Sequence, residues 1–216
     1  QVNAIGPRNL ARSCQRLGAT LVHISTDYIF DGKNPPKADS GGYLEEDRPN
    51  PLNTYGLTKL ASEYYVRNLC SKHFIVRTSA LYGLAKCRAK GENFIDTMLR
   101  LAKERSEIKV VDDVITAPTY TWDLAKKIRE LIELEQPLNP GALKPFNLYG
   151  VYHITNSGQC SWYDFAEKIF GLEGLSVDLK RVSQKEFHSK VMRPNYSVLE
   201  NGHLKALGLE PLRPWH

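Results

Sequence analysis

The sequence predicts an α/β protein, and three observations support that class. Apolar residues recur at about 3.6-residue spacing in some segments, which is typical of amphipathic helices, and form short strand-like runs in others. These two patterns alternate along the chain without an internal repeat. The 216 residues can bury a sizeable core, and 42% hydrophobic with 25% charged residues is ordinary for a globular domain.

The first part of the chain predicts two helices and two strands. Apolar positions between Val2 and Leu17 suit one helix that ends at Gly18, a normal helix stop. The elements predicted next are a buried strand over 21–25, a long loop over 31–53, a helix over 53–69 and a strand over 73–78. A loop of this length is typical of a functional or mobile segment.

The remaining part continues the alternation. Thr121 is predicted as the N-cap of a helix to about Leu134, and Ser161 as the N-cap of a helix to Phe170. The other predicted elements are a helix over 92–104, a strand over 108–111, a Pro-rich connector over 136–145, a strand over 151–155 and a strand near 177–182.

Charge and cysteine usage limit the classes of partner. The net charge of +5 is mild and the basic residues are scattered, so we expect no nucleic-acid partner, although a positive field favours an anionic substrate. The absence of a long apolar run and of a signal peptide predicts no membrane partner and a cytoplasmic, reduced location. The four cysteines show no C-x-x-C spacing and the six histidines no H-x-x-x-H pair, so we expect no metal site.

One group of polar residues can move a proton at a carbonyl oxygen. Thr26 follows the strand over 21–25, and Tyr55 and Lys59 lie one turn apart on the helix over 53–69. Residues i and i+4 share a helix face, where a lysine ammonium lowers the pKa of a tyrosine phenol from about 10. Ligands of α/β sheets bind at the carboxyl ends of strands, where Thr26 falls. We therefore predict these three residues as catalytic groups for ketone reduction.

The spacing Y-x-x-x-K alone is weak evidence, because a chain with eleven tyrosines has about one match by chance. Tyr82 and Lys86 form a second match. Tyr55 begins a long amphipathic helix, whereas Tyr82 follows a strand and leads into a hydrophilic stretch. We interpret the second match as a loop coincidence.

The chain has no G-x-G-x-x-G or G-x-x-G-x-x-G pattern, the Gly-rich turn that holds a dinucleotide pyrophosphate. It opens inside a predicted helix, without a preceding strand. We expect that these residues lack the front of a cofactor domain. By themselves they would then bind a cofactor weakly and have little or no activity.

Several segments resemble the dTDP-4-dehydrorhamnose reductases, which belong to the extended short-chain dehydrogenase/reductase superfamily. These segments are 25–32 (STDYIFDG), 51–60 (PLNTYGLTKL), 76–79 (VRTS), 113–120, 150–153, 162–165 and 193–194. The resemblance implies a Rossmann-like parallel sheet that lacks its first βαβ units, within a dinucleotide-binding and catalytic domain over 1–112. It also implies a smaller C-terminal substrate-binding lobe, mainly over 113–216, with some segments that return to the main domain.

The resemblance implies reduction of the 4-keto group of dTDP-4-dehydro-6-deoxy-L-mannose to dTDP-L-rhamnose by NADPH or NADH. Tyr55 would be the proton donor, and Lys59 would also contact the nicotinamide ribose. The other cofactor-binding residues that it implies are Asn3, Ser25, Arg77, Thr78 and Ser79. The substrate-binding residues that it implies are Asp27, Ala80, Asn93, Phe94, Thr119, Tyr120 and Arg193.

Some of these implied assignments leave alternatives open. Asn93, Phe94 and Tyr120 are equally compatible with ordinary capping or packing. Ala80 stands where the family commonly has a tryptophan against the sugar, which leaves the shape of the substrate open. Arg193 is the natural partner of a diphosphate, because a guanidinium can bind two oxygens at once.

Two other functions stay open. One is a non-catalytic regulatory subunit similar to the β subunit of methionine adenosyltransferase, which has the same fold and a similar Ser-Thr-Asp-Tyr segment. The other is a different nucleotide-sugar enzyme, such as an epimerase or a dehydratase, although Tyr28 stands where a dehydratase needs a glutamate. Residues 110–120 and the complete set of Thr26, Tyr55 and Lys59 favour the reductase. NADH or NADPH preference, homodimer formation and metal dependence stay open.

Overall fold

The computed structural model describes residues 1–33, 41–84, 91–135, 148–187 and 191–216. Its helices are α1 (Ile5–Leu17), α2 (Thr54–Leu69), α3 (Phe94–Glu104), α4 (Thr121–Glu133), α5 (Trp162–Leu172) and α6 (Gly202–Ala206). Its strands are β1 (Leu21–Ile24), β2 (His73–Arg77), β3 (Leu81–Tyr82), β4 (Glu107–Val111), β5 (Ile115–Thr116), β6 (Thr119–Tyr120), β7 (Gly150–His153), β8 (Asn156–Ser157), β9 (Cys160–Ser161), β10 (Asp178–Val182) and β11 (Leu212–Pro214). The predicted connector over 136–145 lies outside the described residues.

The main sheet has three parallel strands in the order β1-β2-β7. Ile75 of β2 faces a core with α1 and α2, and its neighbours Phe74 and Val76 face a second core with α4 and α6. This alternation is expected of a strand with helices on both faces. The carboxyl ends of the three strands meet at one edge, and the sheet confirms the predicted α/β class.

A separate core forms around the parallel pair of β4 and β10. Met98 of α3, Ile108 of β4 and Phe165 of α5 are buried together in it. Helix α3 and strand β4 precede residue 112 in the chain but share this core with α5 and β10. The division of domains at residue 112 stays a prediction.

Most predicted elements have a counterpart near the expected position, but two kinds of feature differ. The N-cap of α4 is Tyr120 and Thr121 is its first helical residue, so the prediction for Thr121 was wrong. The two- and three-residue strands were also missed, because such short segments show no periodicity and form only where distant segments meet. Among the described residues, none of the helices is long and apolar enough to cross a membrane.

The predicted N-cap at Ser161 is confirmed. Its hydroxyl oxygen accepts from the Asp164 amide at 3.0 Å, and the Asp164 carboxylate accepts from the Ser161 amide at 3.0 Å. This reciprocal capping box satisfies two donors at the start of α5. The Ser161 hydroxyl also donates to Asp112 at 2.8 Å, which attaches the helix to the end of β4.

Ser161→Ala is expected to lower the free energy of unfolding by about 1–2 kcal/mol, because the amide of Asp164 loses its cap. Urea unfolding followed by circular dichroism measures the change. Ser106→Ala, at an exposed serine, is the control and should leave the midpoint unchanged. Equal midpoints for the two variants would contradict the role of Ser161.

Candidate active site

Polar residues follow the carboxyl ends of β1 and β2. Ser25 and Thr26 follow β1, and Thr78 and Ser79 follow β2. The Asp27 amide donates to the Thr78 carbonyl at 3.1 Å, which joins the two strand ends. The structure therefore brings these predicted residues together at the edge where α/β sheets bind ligands.

A close backbone approach places the start of α2 against this edge. Asn53 is the N-cap of α2, and its side chain accepts from the Gly56 amide at 2.9 Å. A Cβ atom on Gly56 would lie only 2.1 Å from the Tyr28 carbonyl oxygen, so the glycine is required there. This packing sets the Tyr55 ring edge-on to Tyr28, with centroids 6.0 Å apart.

The Tyr55 phenol is accessible and close to Thr26. Its residue is 46% exposed, so a substrate can reach it. Partial burial raises the pKa of Tyr55, the Thr26 side chain opposes that shift, and the Asp27 carboxyl adds to it. The expected net lowering of this pKa by Lys59 is therefore not found.

Lys59 is held by the end of β1. Its ammonium donates to the Ile24 backbone carbonyl. Burial lowers the pKa of Lys59, and the charge of Glu63, one turn further along α2, opposes that shift. The ammonium is thus directed at the strand end rather than at the phenol. Burial is therefore the largest influence on the pKa of Tyr55, and it raises that pKa.

Asp27 is buried directly behind Thr26. The Thr26 hydroxyl donates to the Asp27 carboxylate at 3.0 Å and accepts from the Tyr28 amide at 3.3 Å. Burial raises the pKa of Asp27 to about 6, against hydrogen bonds from Ser197 and Thr26. Nothing in the sequence signalled Ser197, because its approach depends on the folding of the distant segment before α6.

Arg193 reaches the same cluster from the C-terminal part of the chain. Burial raises the pKa of Tyr28 to about 12, and the guanidinium of Arg193 acts against that shift. Arg193 is exposed, and the carbonyl of its neighbour Met192 accepts from the Asn53 side chain at 2.9 Å. An exposed cation therefore lies at the rim beside Tyr28 and the start of α2.

Arg77 lies inside the fold. Its guanidinium binds the Glu63 carboxylate at 2.8 Å, donates to the Glu45 carbonyl at 3.1 Å and contacts His153 at 3.3 Å. The Ser25 hydroxyl donates to the same Glu63 carboxylate. These partners occupy the side chains, so contacts of Arg77 and Ser25 with a cofactor would have to come from their backbone.

The residues after β2 differ in how their polar atoms are used. The Ser79 hydroxyl donates to the Ala117 carbonyl at 2.7 Å. The Thr78 hydroxyl is buried and has no hydrogen-bond partner within the described ranges. Ala80 follows with a positive φ of 43° and accepts from the Thr119 amide at 3.2 Å. Thr119 itself is fully buried.

Asn93 and Phe94 have structural contacts. The Asn93 side chain caps α3 and also donates to the Gly83 carbonyl at 2.9 Å. The Phe94 ring packs on Trp162 and Phe165, with centroids 4.7 and 5.4 Å away. These contacts favour the capping and packing interpretations, and the substrate roles stay predictions.

The last two predicted residues lie at element ends. Tyr120 follows Thr119 in β6, and its ring lies 5.6 Å from that of Tyr82 and under the Arg213 guanidinium. Asn3 lies in the turn before α1, and its place near the cofactor stays a prediction. Lys86, the partner of Tyr82 in the second Y-x-x-x-K match, lies outside the described residues.

Comparison with known proteins places this arrangement in a family. The model of the RmlD substrate binding domain matches residues 1–216. The chain belongs to this family. The match confirms the resemblance stated from the sequence motifs.

Curated relatives show the same relationship. The spore coat polysaccharide biosynthesis protein SpsK of Bacillus subtilis is 38% identical over 99% of this chain and 67% of its own length. The dTDP-4-dehydrorhamnose reductase of Streptomyces griseus is 38% identical over 99% of this chain and 66% of its length. That of Escherichia coli K12 is 40% identical over 78% of this chain and 51% of its length. The chain thus spans about two thirds, or less, of these relatives.

Solved structures confirm the fold. The dTDP-4-dehydrorhamnose reductase of Bacillus anthracis, solved in complex with NADP, is 44% identical with a TM-score of 0.85, over 99% of this chain and 68% of that one. The dTDP-glucose 4,6-dehydratase DesIV of Streptomyces venezuelae is 17% identical with a TM-score of 0.70, over 99% of this chain and 62% of that one. Both likenesses confirm the Rossmann-like α/β class, and the second shows the fold alone.

Proposed function

We propose that the protein containing this chain reduces the 4-keto group of dTDP-4-dehydro-6-deoxy-L-mannose to dTDP-L-rhamnose with NADPH or NADH. The observation that carries the proposal is the meeting of Thr26, Tyr55 and Lys59 at the carboxyl end of β1, with the phenol accessible. Relatives named dTDP-4-dehydrorhamnose reductase at 35–40% identity support it.

Tyr55 supplies the proton that the carbonyl oxygen takes up. A tyrosine phenol, with an ordinary pKa of about 10, is protonated near neutral pH, which is the state that a proton donor needs before transfer. Burial raises the pKa of Tyr55, which leaves that state unchanged. Thr26 is fixed by Asp27 and the Tyr28 amide, so its oxygen can orient the phenol. Lys59 holds its ammonium on the Ile24 carbonyl at the end of β1, so we assign it to the nicotinamide end of the cofactor rather than to the phenol.

The residues at the strand ends fit the nicotinamide end of a dinucleotide. When bound, this cofactor supplies the hydride to the carbonyl carbon. The buried Thr78 hydroxyl lacks a hydrogen-bond partner within the described ranges, and a polar group of the cofactor would provide one. Thr78 and Lys59 are therefore the side chains that we assign to hold this end. The neighbouring structure of the Bacillus anthracis enzyme in complex with NADP supports the choice of cofactor.

Arg193 is assigned to the diphosphate of the nucleotide sugar. It is exposed at the rim beside Tyr28, and a guanidinium binds phosphate oxygens in pairs. The mild positive net charge of +5 favours the approach of an anionic substrate. The presence of the catalytic residues in one place favours an enzyme over a non-catalytic regulatory subunit.

A second substrate is favoured by one specific relative. The protein named dTDP-4-keto-6-deoxy-D-glucose reductase of Streptomyces niveus is 37% identical over 99% of this chain. The two keto sugars differ in configuration on the ring, and Ala80 replaces the large ring that commonly lines the sugar in the family. Because the Ala80 side chain is small, it does not decide between the two keto sugars, and an experiment has to do so.

The deciding experiment offers both keto sugars to the protein as its gene encodes it. NADPH consumption is followed by absorbance, and the configuration of the product at C4 is determined by NMR. We expect faster turnover of the L-mannose form and dTDP-L-rhamnose as its product. Faster turnover of the D-glucose form would move the assignment to that substrate. No turnover of either by folded protein that binds NADPH would favour a regulatory subunit.

Two expectations remain predictions. They are the division into a domain over 1–112 and a lobe mainly over 113–216, and a cytoplasmic location. Homodimer formation stays open. The core shared by α3, β4, α5 and β10 supports a lobe that also draws on residues before 112. Low activity of these 216 residues alone also stays a prediction.

A further inference from the structure

We propose that Glu45, Glu46 and His203 bind a divalent cation of the first transition row. One ligand atom from each of these residues lies within 4.8 Å of the other two. None of the three belongs to the proposed catalytic cluster. The inference does not depend on the proposed reaction, because it rests on other side chains.

Glu45 offers a buried oxygen that needs a partner. The residue is only 6% exposed. Its Oε1 accepts from the amides of His153 at 2.9 Å and His203 at 3.2 Å, which fixes the carboxylate in place. Its Oε2 is buried and has no hydrogen-bond partner among the described residues. A buried, unpaired carboxylate oxygen is costly, and a cation beside it removes that cost.

His203 has the orientation of a metal ligand. Its Nδ1 donates to the Val151 carbonyl at 2.7 Å, which directs Nε2 towards the Glu46 carboxylate. Metal-binding histidines commonly donate their other ring N–H to a backbone carbonyl in this way. One imidazole with two carboxylates suits Mn²⁺, Fe²⁺, Co²⁺ or Zn²⁺ better than it suits Mg²⁺ or Ca²⁺, which prefer oxygen ligands alone.

Movement of the exposed side chains would bring the three donors to bonding distance of one ion. Three donors on one ion at about 2.0–2.2 Å lie about 3–4 Å from one another, so the group, whose ligand atoms lie within 4.8 Å of one another, would have to close by up to about 1 Å. Nε2 and the Glu46 carboxylate, which are in direct contact, would have to separate to admit the ion. The side chains of His203 and Glu46 are 41% and 66% exposed and can adjust. The ion would enter between Nε2 and the Glu46 carboxylate, in place of the Nε2 proton, which leaves to water.

The surroundings carry an excess of acidic groups. A cavity of about 440 Å³ adjoins the three residues and is lined by the further acids Asp47 and Glu63 and by the bases Arg67 and Arg77. Arg77 is paired with Glu63 at 2.8 Å, so its charge is already compensated. The ion would join the segment before α2 to the start of α6. No spacing in the sequence indicates this group, because His203 is distant in the chain from Glu45 and Glu46.

Mn²⁺ is the probe for the test, because it prefers nitrogen and oxygen ligands and avoids the cysteine thiols. The full protein is freed of metal and titrated while EPR follows the signal of free Mn²⁺. We expect one site that is weakened roughly tenfold or more by His203→Gln and by Glu46→Gln. His216→Gln, at another exposed histidine, is the matched control and should bind as the wild type does.

The variants chosen lie on the exposed side of the group, so they should fold, and metal-free melting curves verify this. Addition of Mn²⁺ should raise the Tm of the wild type and of His216→Gln, with a smaller rise in the two ligand variants. Equal Mn²⁺ affinity in all four proteins would overturn the proposal, because the metal would then be held elsewhere. Absence of Mn²⁺ binding to folded wild-type protein would also overturn it.

Discussion

Tyr55→Phe is expected to lower kcat for the keto sugar by about 100- to 10,000-fold, the usual contribution of a positioned proton donor. The change removes one oxygen atom and keeps the aromatic ring, whose centroid lies 6.0 Å from that of Tyr28. KM should change little, because the phenol acts on the carbonyl oxygen mainly in the transition state. Steady-state kinetics of the full protein, with NADPH consumption as the signal, measures both quantities.

Tyr82→Phe is the matched control, because Tyr82 begins the other Y-x-x-x-K match. Its hydroxyl donates to the Trp215 carbonyl at 3.3 Å. Its removal should cost about 1 kcal/mol of stability and leave kcat close to the wild-type value. If Tyr55→Phe kept the wild-type kcat, Tyr55 would not be the proton donor. If both variants lost activity equally, damage to the fold would explain the loss.

The positions of the proposed catalytic residues could be predicted because the signals are local, while their roles stay predictions. Tyr55 and Lys59 share a helix face whatever the rest of the fold does, and Thr26 follows a strand that is apolar enough to recognise. The cap at Ser161 is a signal of the same kind, since its partner lies three residues away. Helices and strands long enough to show periodicity were predicted near their observed positions for the same reason.

The failures concern contacts between distant parts of the chain. The pKa of Tyr55 was expected to fall because of Lys59. Instead it is raised, because the phenol is partly buried near the Asp27 carboxyl. The Lys59 ammonium donates to the Ile24 carbonyl rather than to the phenol. Burial of this kind depends on how α2 packs on the strand ends, which no spacing shows. The approach of Ser197 to Asp27 depends on a similar long-range contact.

Arg77 illustrates the same limit for an individual residue. The motif in which it occurs suggested a cofactor contact, but β2 directs its guanidinium into the interior, against Glu63. That carboxylate lies on the inner face of α2 and also accepts from the Ser25 hydroxyl. The pair therefore links β2 to α2, which bears Tyr55 and Lys59, and to the end of β1, which Thr26 follows.

Glu63→Gln is expected to lower the free energy of unfolding by about 3–5 kcal/mol, because it leaves the buried Arg77 cation without its counter-charge. The two side chains are only 2% and 3% exposed, so water cannot replace the lost carboxylate. Glutamine keeps the size of the side chain, which separates the effect of charge from that of packing. Urea unfolding of the full protein measures the loss.

The exposed pair of Arg129 and Glu133 provides the comparison. It has a similar separation of 2.7 Å, but its side chains are 81% and 57% exposed. Glu133→Gln should therefore cost about 0.5 kcal/mol or less, because solvent screens such pairs. Replacing both buried partners, as in Glu63→Leu with Arg77→Met, should recover part of the stability lost in Glu63→Gln, because no unpaired charge remains. Equal losses in Glu63→Gln and Glu133→Gln would contradict the prediction, because burial would then add nothing to the stability that the pair of Glu63 and Arg77 supplies.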